Sequence, residues 1–139
     1  MLEAISARDI AVTGLKAQRA RMNVIANNVA NAMTTQTAKG GPFRRQMAVF
    51  RGEQVRPFLD QEKLGVRVKE IASDQSPFRL VYDPNHPDAD EAGYVSYPNV
   101  NVATEMVNLV SAQRAYDANV SVIMSEKRIS AKALEIIQA

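Results

Sequence analysis

The sequence contains no cysteine and no tryptophan. The first absence excludes disulfides and thiolate metal centres. The second, with aromatic residues at only 6%, leaves any core mainly aliphatic. No apolar run approaches the ~18 residues of a membrane-spanning helix. Met1 to Ser6 show no basic stretch leading into an apolar run and a small-residue cleavage site, so no conventional secretory signal is visible. With a single histidine, a transition-metal site would rely mainly on carboxylates. No Gly-rich phosphate loop, serine elbow or paired catalytic motif is found, so neither enzymatic activity nor a cofactor is expected. Charge of one sign is lacking too: 17 Lys and Arg face 15 Asp and Glu, for a net +2. The positive residues are scattered among acids, which weakens a nucleic-acid reading.

What is present is two long helical patterns around a different middle. A chain of 139 residues fits one compact domain or a small domain with long extensions. From Leu2 to Ala32 there is no proline, and Ile5, Val12, Leu15, Met22 and Val29 follow the three-and-four rhythm of a heptad seam, with Arg8, Arg19 and Ala26 as weak positions. After the breaker Pro98, Asn101 can cap a second helix. There Val102, Met106, Leu109, Gln113, Tyr116, Val120, Ile123, Lys127, Ser130, Leu134 and Ile137 keep the same rhythm. That helix would be ~55 Å long at ~1.5 Å per residue. Between them Lys39-Gly40-Gly41-Pro42 breaks the first helix. Phe43–Phe50, Val66–Ile71, Phe78–Tyr82 and Tyr94–Tyr97 read as short irregular strands. The expectation is an α+β chain, predominantly α, with long N- and C-terminal helices paired as a coiled coil. It divides into an N-terminal helix and exit turn (1–38), a β-prone middle (39–98) and a C-terminal helix (99–139).

The two seams are apolar enough to bury, yet the middle is too polar to bury both, so they must meet each other or other chains. Asn23, Asn27 and Asn31 recur at helical spacing with Asn28 beside them, although asparagine is a poor helix former. Such neutral groups suit hydrogen bonds to a neighbouring subunit, or they form a solvated face; Ala26, Ala30 and Ala32 favour close packing with another helix. Expected subunit contacts are therefore Ile5, Val12, Leu15, Met22, Asn23, Ala26, Asn27, Asn28, Val29 and Asn31 in the first helix. In the second they are Met106, Leu109, Gln113, Tyr116, Val120, Ile123, Leu134 and Ile137.

Two other constellations compete. Arg44-Arg45, Arg51, Arg56, Arg67 and Lys69, with Phe43 and Phe50 as stacking groups, are the basis of an alternative reading as a small nucleic-acid-binding module. Salt bridges to Glu53, Asp60, Glu62 and Glu70 are the plainer use of the same charges. The run Asp83 to Glu91 gathers acids around His86, which raises a carboxylate metal or acid–base site. It lacks the EF-hand pattern, and its two prolines suit a rigid structural turn.

The run Ala26-Asn27-Asn28-Val29-Ala30-Asn31, followed by Gly40-Gly41-Pro42-Phe43-Arg44-Arg45-Gln46, resembles the N-terminal motif of the axial proteins of the bacterial flagellum. The run Tyr82 to Asp90, Gly93 to Asn101, Glu105 to Leu109 and Arg114 to Asn119 are similar to the rod members of that family. The likeness covers essentially the whole chain. One departure is Met33, before Thr34, where the family often has asparagine. The resemblance implies a structural subunit of the periplasmic rod, a helical tube that transmits torque and encloses the export channel. It also implies export by the flagellar type III apparatus without a cleaved signal, and hetero- and homo-oligomeric contacts with proximal and distal rod subunits and the rod-to-ring junction protein. Neither nucleic acid nor a membrane span is implied.

Overall fold

A computed structural model describes residues 6–54 and 64–138. Its elements run α1 (Ala7–Ala30), β1 (Gln46–Gln54), β2 (Leu64–Ser73), β3 (Arg79–Tyr82), β4 (Tyr94–Tyr97) and α2 (Val102–Gln138). The chain is thus α+β and close to half helical, with both helices at its ends, as expected. Ile5, Arg56, Asp60 and Glu62 lie outside the described residues.

α1 begins on a reciprocal cap. The Ser6 hydroxyl accepts from the Asp9 N–H while the Asp9 carboxylate accepts from the Ser6 N–H. This Ser-x-x-Asp signal was legible in the sequence but was passed over there. The helix ends at Ala30, within two residues of the expected run to Ala32 and well before Gly40 and Gly41. Asn31 is its C-cap, and the Asn31 amide donates to the backbone and side-chain oxygens of Asn27. Short polar side chains compete for backbone partners in this way, which is why they end helices. α2 starts on the expected cap: the Asn101 side chain accepts from the Thr104 N–H at 3.1 Å.

The helices are antiparallel. Asn28 bonds Glu105, and Gly14 lies against Asn119, fourteen residues along each helix from the first pair. At that register Ala7 stands beside Glu126, so α2 continues past the start of α1 from Lys127 onward, an overhang of ~18 Å at ~1.5 Å per residue.

Both facing seams keep a heptad rhythm; on α1 the row lies one residue from the expected one, and on α2 it keeps Leu109, Tyr116 and Ile123 while Glu105, Ala112 and Asn119 take the places expected for Met106, Gln113 and Val120. On α1 the inward row is Ala11, Gly14, Gln18, Arg21, Ile25, Asn28 and Ala32, with Ala17 and Val24 buried beside it. On α2 it is Glu105, Leu109, Ala112, Tyr116, Asn119, Ile123 and Glu126. Small side chains explain the rotation, because alanine and glycine bring the backbones closer than Leu15 or Met22 could. The large apolar residues Val12, Leu15, Met22 and Val29 consequently sit on the flank, half-buried.

The four strands form two separate antiparallel pairs, β1–β2 and β3–β4. The first is bulged opposite Val49–Phe50, where Lys69 has no partner across the pair. This hairpin leans on α1, and the Thr13 hydroxyl accepts from the Val66 N–H at 3.0 Å. Ala48 and Phe50 share a shallow cleft with Val24, Ile25 and Asn108. The second pair precedes α2 and is anchored by fully buried Val95 and by Pro98.

An added Cβ at Gly14 would fall 2.8 Å from the Asn119 amide nitrogen. That amide can move to admit one methyl, but not a branched side chain between the helices. Gly14→Leu should therefore lower stability by about 1–3 kcal/mol in urea unfolding followed by circular dichroism, with Gly14→Ala close to neutral.

Candidate functional site

The most concentrated chemistry in the chain is a polar junction that draws together five distant segments. Its centre is Glu105, whose side chain is fully buried in the first turns of α2. One carboxylate oxygen accepts from the Arg45 guanidinium, at 2.9 Å from Nε and 2.8 Å from the terminal nitrogen. The other accepts from the Asn28 amide at 2.8 Å. A buried carboxylate is tolerated only when its lone pairs are filled in this manner.

Asn28, also fully buried, works in two directions. Its amide donates to the Gln46 carbonyl at 2.8 Å and its oxygen accepts from the Gln46 N–H at 2.9 Å. The side chain thus bonds the first residue of β1 as a neighbouring strand would. Exposed Asn27 adds a bond to the Gln46 side chain at 3.2 Å. Asn23 stays exposed. The asparagines therefore have different uses, and the decisive one, Asn28, lies off the regular row.

The remaining segments lock onto Arg45. Its carbonyl accepts from the Asp74 N–H, its N–H donates to Asn99, and its guanidinium reaches the Asp74 carboxylate at 3.3 Å. Asn99 and Arg44 both donate to the carbonyls of Asp74 and Ser76, and the Arg44 guanidinium lies over Phe78 at 4.2 Å. Asp74 accepts from the Ser76 hydroxyl and N–H. The two Ser76 bonds hold its carboxyl below the ordinary carboxylate range; burial opposes them less strongly, and Arg45 adds the smallest lowering effects.

Glu105, Asn99, Asp74 and Gln46 were not singled out in the sequence as site residues. Their partners in the other segments are 18 to 77 residues away, beyond the reach of local spacing. The only available hint was that Arg44-Arg45 needed counter-charges.

The expected contact residues are spread over different environments. Leu109, Tyr116, Val120 and Ile123 are half-buried, as is Asn31; Met106, Gln113, Leu134, Ile137 and Ala26 are exposed. The Asn28 side chain is spent inside the chain. Among the described residues the arginine constellation is divided: Arg44 and Arg45 belong to the junction, Arg67 pairs with Glu53, and Lys69 with Glu70. The run from Asp83 to Glu91 is a turn whose acids bind its own backbone. The Asp90 carboxylate accepts from the N–H groups of Ala92 and Tyr94, and Asp88 from the Thr35 hydroxyl. Among the described residues no three metal-capable side chains converge.

The junction holds chain segments to one another through filled hydrogen bonds. Comparison with known proteins agrees with that character. Residues 9–36 match the family model described as flagella basal body rod protein, and residues 91–136 match that of the flagellar basal body rod FlgEFG protein C-terminal. The flagellar basal-body rod protein FlgC of Borreliella burgdorferi is 46% identical, with 96% of this chain and 97% of the relative covered. The chain belongs to the FlgC family of flagellar basal-body rod proteins. FlgC of Salmonella typhimurium is 43% identical over 94% of this chain and 95% of its own, and that of Bacillus subtilis 39% over 97% and 99%. This FlgC-family chain is a structural rod subunit of the flagellar basal body. The matched segments coincide with α1 and α2, the helices that the junction ties together.

Two outcomes are expected. Glu105→Ala strands Arg45 and Asn28 and should cost about 3 kcal/mol, whereas Glu105→Ala combined with Arg45→Ala should cost less than the two single changes added together; urea unfolding of the four proteins measures both. The depressed Asp74 carboxyl stabilises the fold above the ordinary aspartate range and loses that contribution as pH falls through its native value. The stability difference between wild type and Asp74→Asn should be full near neutrality and close on acidification.

Proposed function

We propose that this rod subunit presents its paired terminal helices as one stiff bar in the wall of a helical tube. The tube transmits torque across the periplasm and encloses the channel for exported subunits. The observation that supports this is the leftover apolar surface. The helices meet through small residues, which leaves Val12, Leu15, Met22 and Val29 half-buried on the flank of α1, and Met106, Leu134 and Ile137 exposed on α2. Surface of this extent on a thin hairpin is the mark of interaction with other chains.

Neighbouring subunits would cover those stripes, together with Asn23, Ala26, Asn27, Leu109, Gln113, Tyr116, Val120 and Ile123. Ile5 continues the same row in sequence. The neighbours are proximal and distal rod subunits and the rod-to-ring junction protein, and the chain reaches them through the flagellar type III export apparatus without a cleaved signal. Torsional load is spread over broad helix packing, which suits a chain with many moderate contacts better than one dominant anchor. Among the described residues the overhanging end of α2 has little to bury against, which fits folding of the tail on arrival.

Leu134→Asp combined with Ile137→Asp should abolish motility and remove the chain from purified basal bodies while leaving it exported. Immunodetection in periplasmic and basal-body fractions measures this, and normal rods built from the variant would sink the proposal.

A further inference from the structure

Two exposed apolar patches lie at opposite ends of the molecule, with charge of opposite sign. The first is one face of the β3–β4 pair, where Leu80 and Tyr82 are about two-thirds exposed and Tyr94 packs edge-on to Tyr82 at a centroid separation of 5.3 Å. Gly93, at φ +82°, allows this close arrangement, since a Cβ there would fall 2.9 Å from the Tyr82 ring. From Leu80 to Gln113 the chain carries no lysine or arginine, and the turn beside the patch holds Asp83, Asp88, Asp90 and Glu91. The second patch is the overhang of α2, where Ile129, Ile136 and Ile137 are 70%, 77% and 79% exposed. Lys127, Arg128 and Lys132 surround it against one acid, Glu135.

We infer that the acidic β3–β4 face of one copy docks on the basic C-terminal overhang of α2 of a second copy. This rests on the reading of the chain as an assembling rod subunit and adds the contact. Contact within one chain is ruled out by length: β4 leads directly into the start of α2, and the overhang patch lies at the far end of a helix of 37 residues, ~40–50 Å away. A contact between unlike patches is heterologous, so it propagates from copy to copy and closes into a ring or extends as a helix. Leu80 and the two tyrosines provide the apolar anchor of the type enriched in interfaces. The opposed charges set orientation and disfavour the alternatives, hairpin on hairpin and overhang on overhang.

The absence of native cysteine makes the test direct. Full-length chain carrying both Leu80→Cys and Ile136→Cys is expressed in flagellated cells, and basal bodies are treated with a short bismaleimide. The expected result is a ladder of covalent multimers of this chain, with no ladder from either single variant. A double variant present in basal bodies but staying monomeric overturns the contact and leaves the rod reading standing. A crosslink to a protein of different mass overturns the choice of a second copy. Wild-type chain missing from basal bodies overturns the rod reading and this inference together. Where the cysteine pair impairs incorporation, charge reversal decides. Arg128→Glu should lower incorporation several-fold, and Glu91→Lys on the same chain should restore it, since each interface then regains an opposite pair. No restoration overturns the contact.

Discussion

A buried carboxylate governs this structure. Glu105 is tolerated in the interior only while Arg45 and Asn28 fill its oxygens, and those two residues are supplied by the segment entering β1 and by the last turns of α1. Breaking any one of the three leaves a buried polar group unpaired, so the end of α1, the start of β1 and the start of α2 are fixed as a unit. Replacing the whole set by apolar residues could give equal stability. What the ionic set adds is uniqueness, because a slide of either helix by one turn would strand the carboxylate.

From that fixed end the rest of the architecture follows. The antiparallel register runs from Asn28 against Glu105 to Gly14 against Asn119. Alanine and glycine along the seam keep the helices close, and the large aliphatic residues are turned to the flanks. The result is a bar whose junction is satisfied within the chain while its sides and the α2 overhang are apolar and unsatisfied. For a rod subunit the two properties belong together. On the proposed reading the internal lock gives each subunit the same junction before it meets its neighbours, and the unspent surface would supply the free energy of assembly.

The elements were largely legible in the sequence. Heptad rhythm located both helices, and β-branched and aromatic runs between glycines and prolines located all four strands, since these signals are local. Leu109, Tyr116 and Ile123 stand where expected, while the α1 seam and every second position of the α2 seam lie one residue from the expected rows, because large apolar side chains signal a seam more loudly than small ones. Close approach in this chain depends instead on Ala11, Gly14, Ala17 and Ala112. The end of α1 was legible too, since its proline-free heptad run stops at Ala32, and Asn31 ends the helix through its own amide. The junction itself was hidden. Its members are bonded across sequence separations as long as 77 residues, and neither composition nor periodicity carries information about such pairings.

If the Glu105 junction is the stable centre and the α2 overhang is completed only by assembly, local stability must be graded along one helix. Amide hydrogen exchange of the purified full-length chain, read by mass spectrometry, measures that gradient directly. The account predicts the strongest protection in the turns around Asn28 and from Glu105 to Tyr116 and in the first residues of β1, with little beyond Lys127. Protection of the overhang equal to that around Glu105, or fast exchange at Gln46 and Asn28, would contradict it.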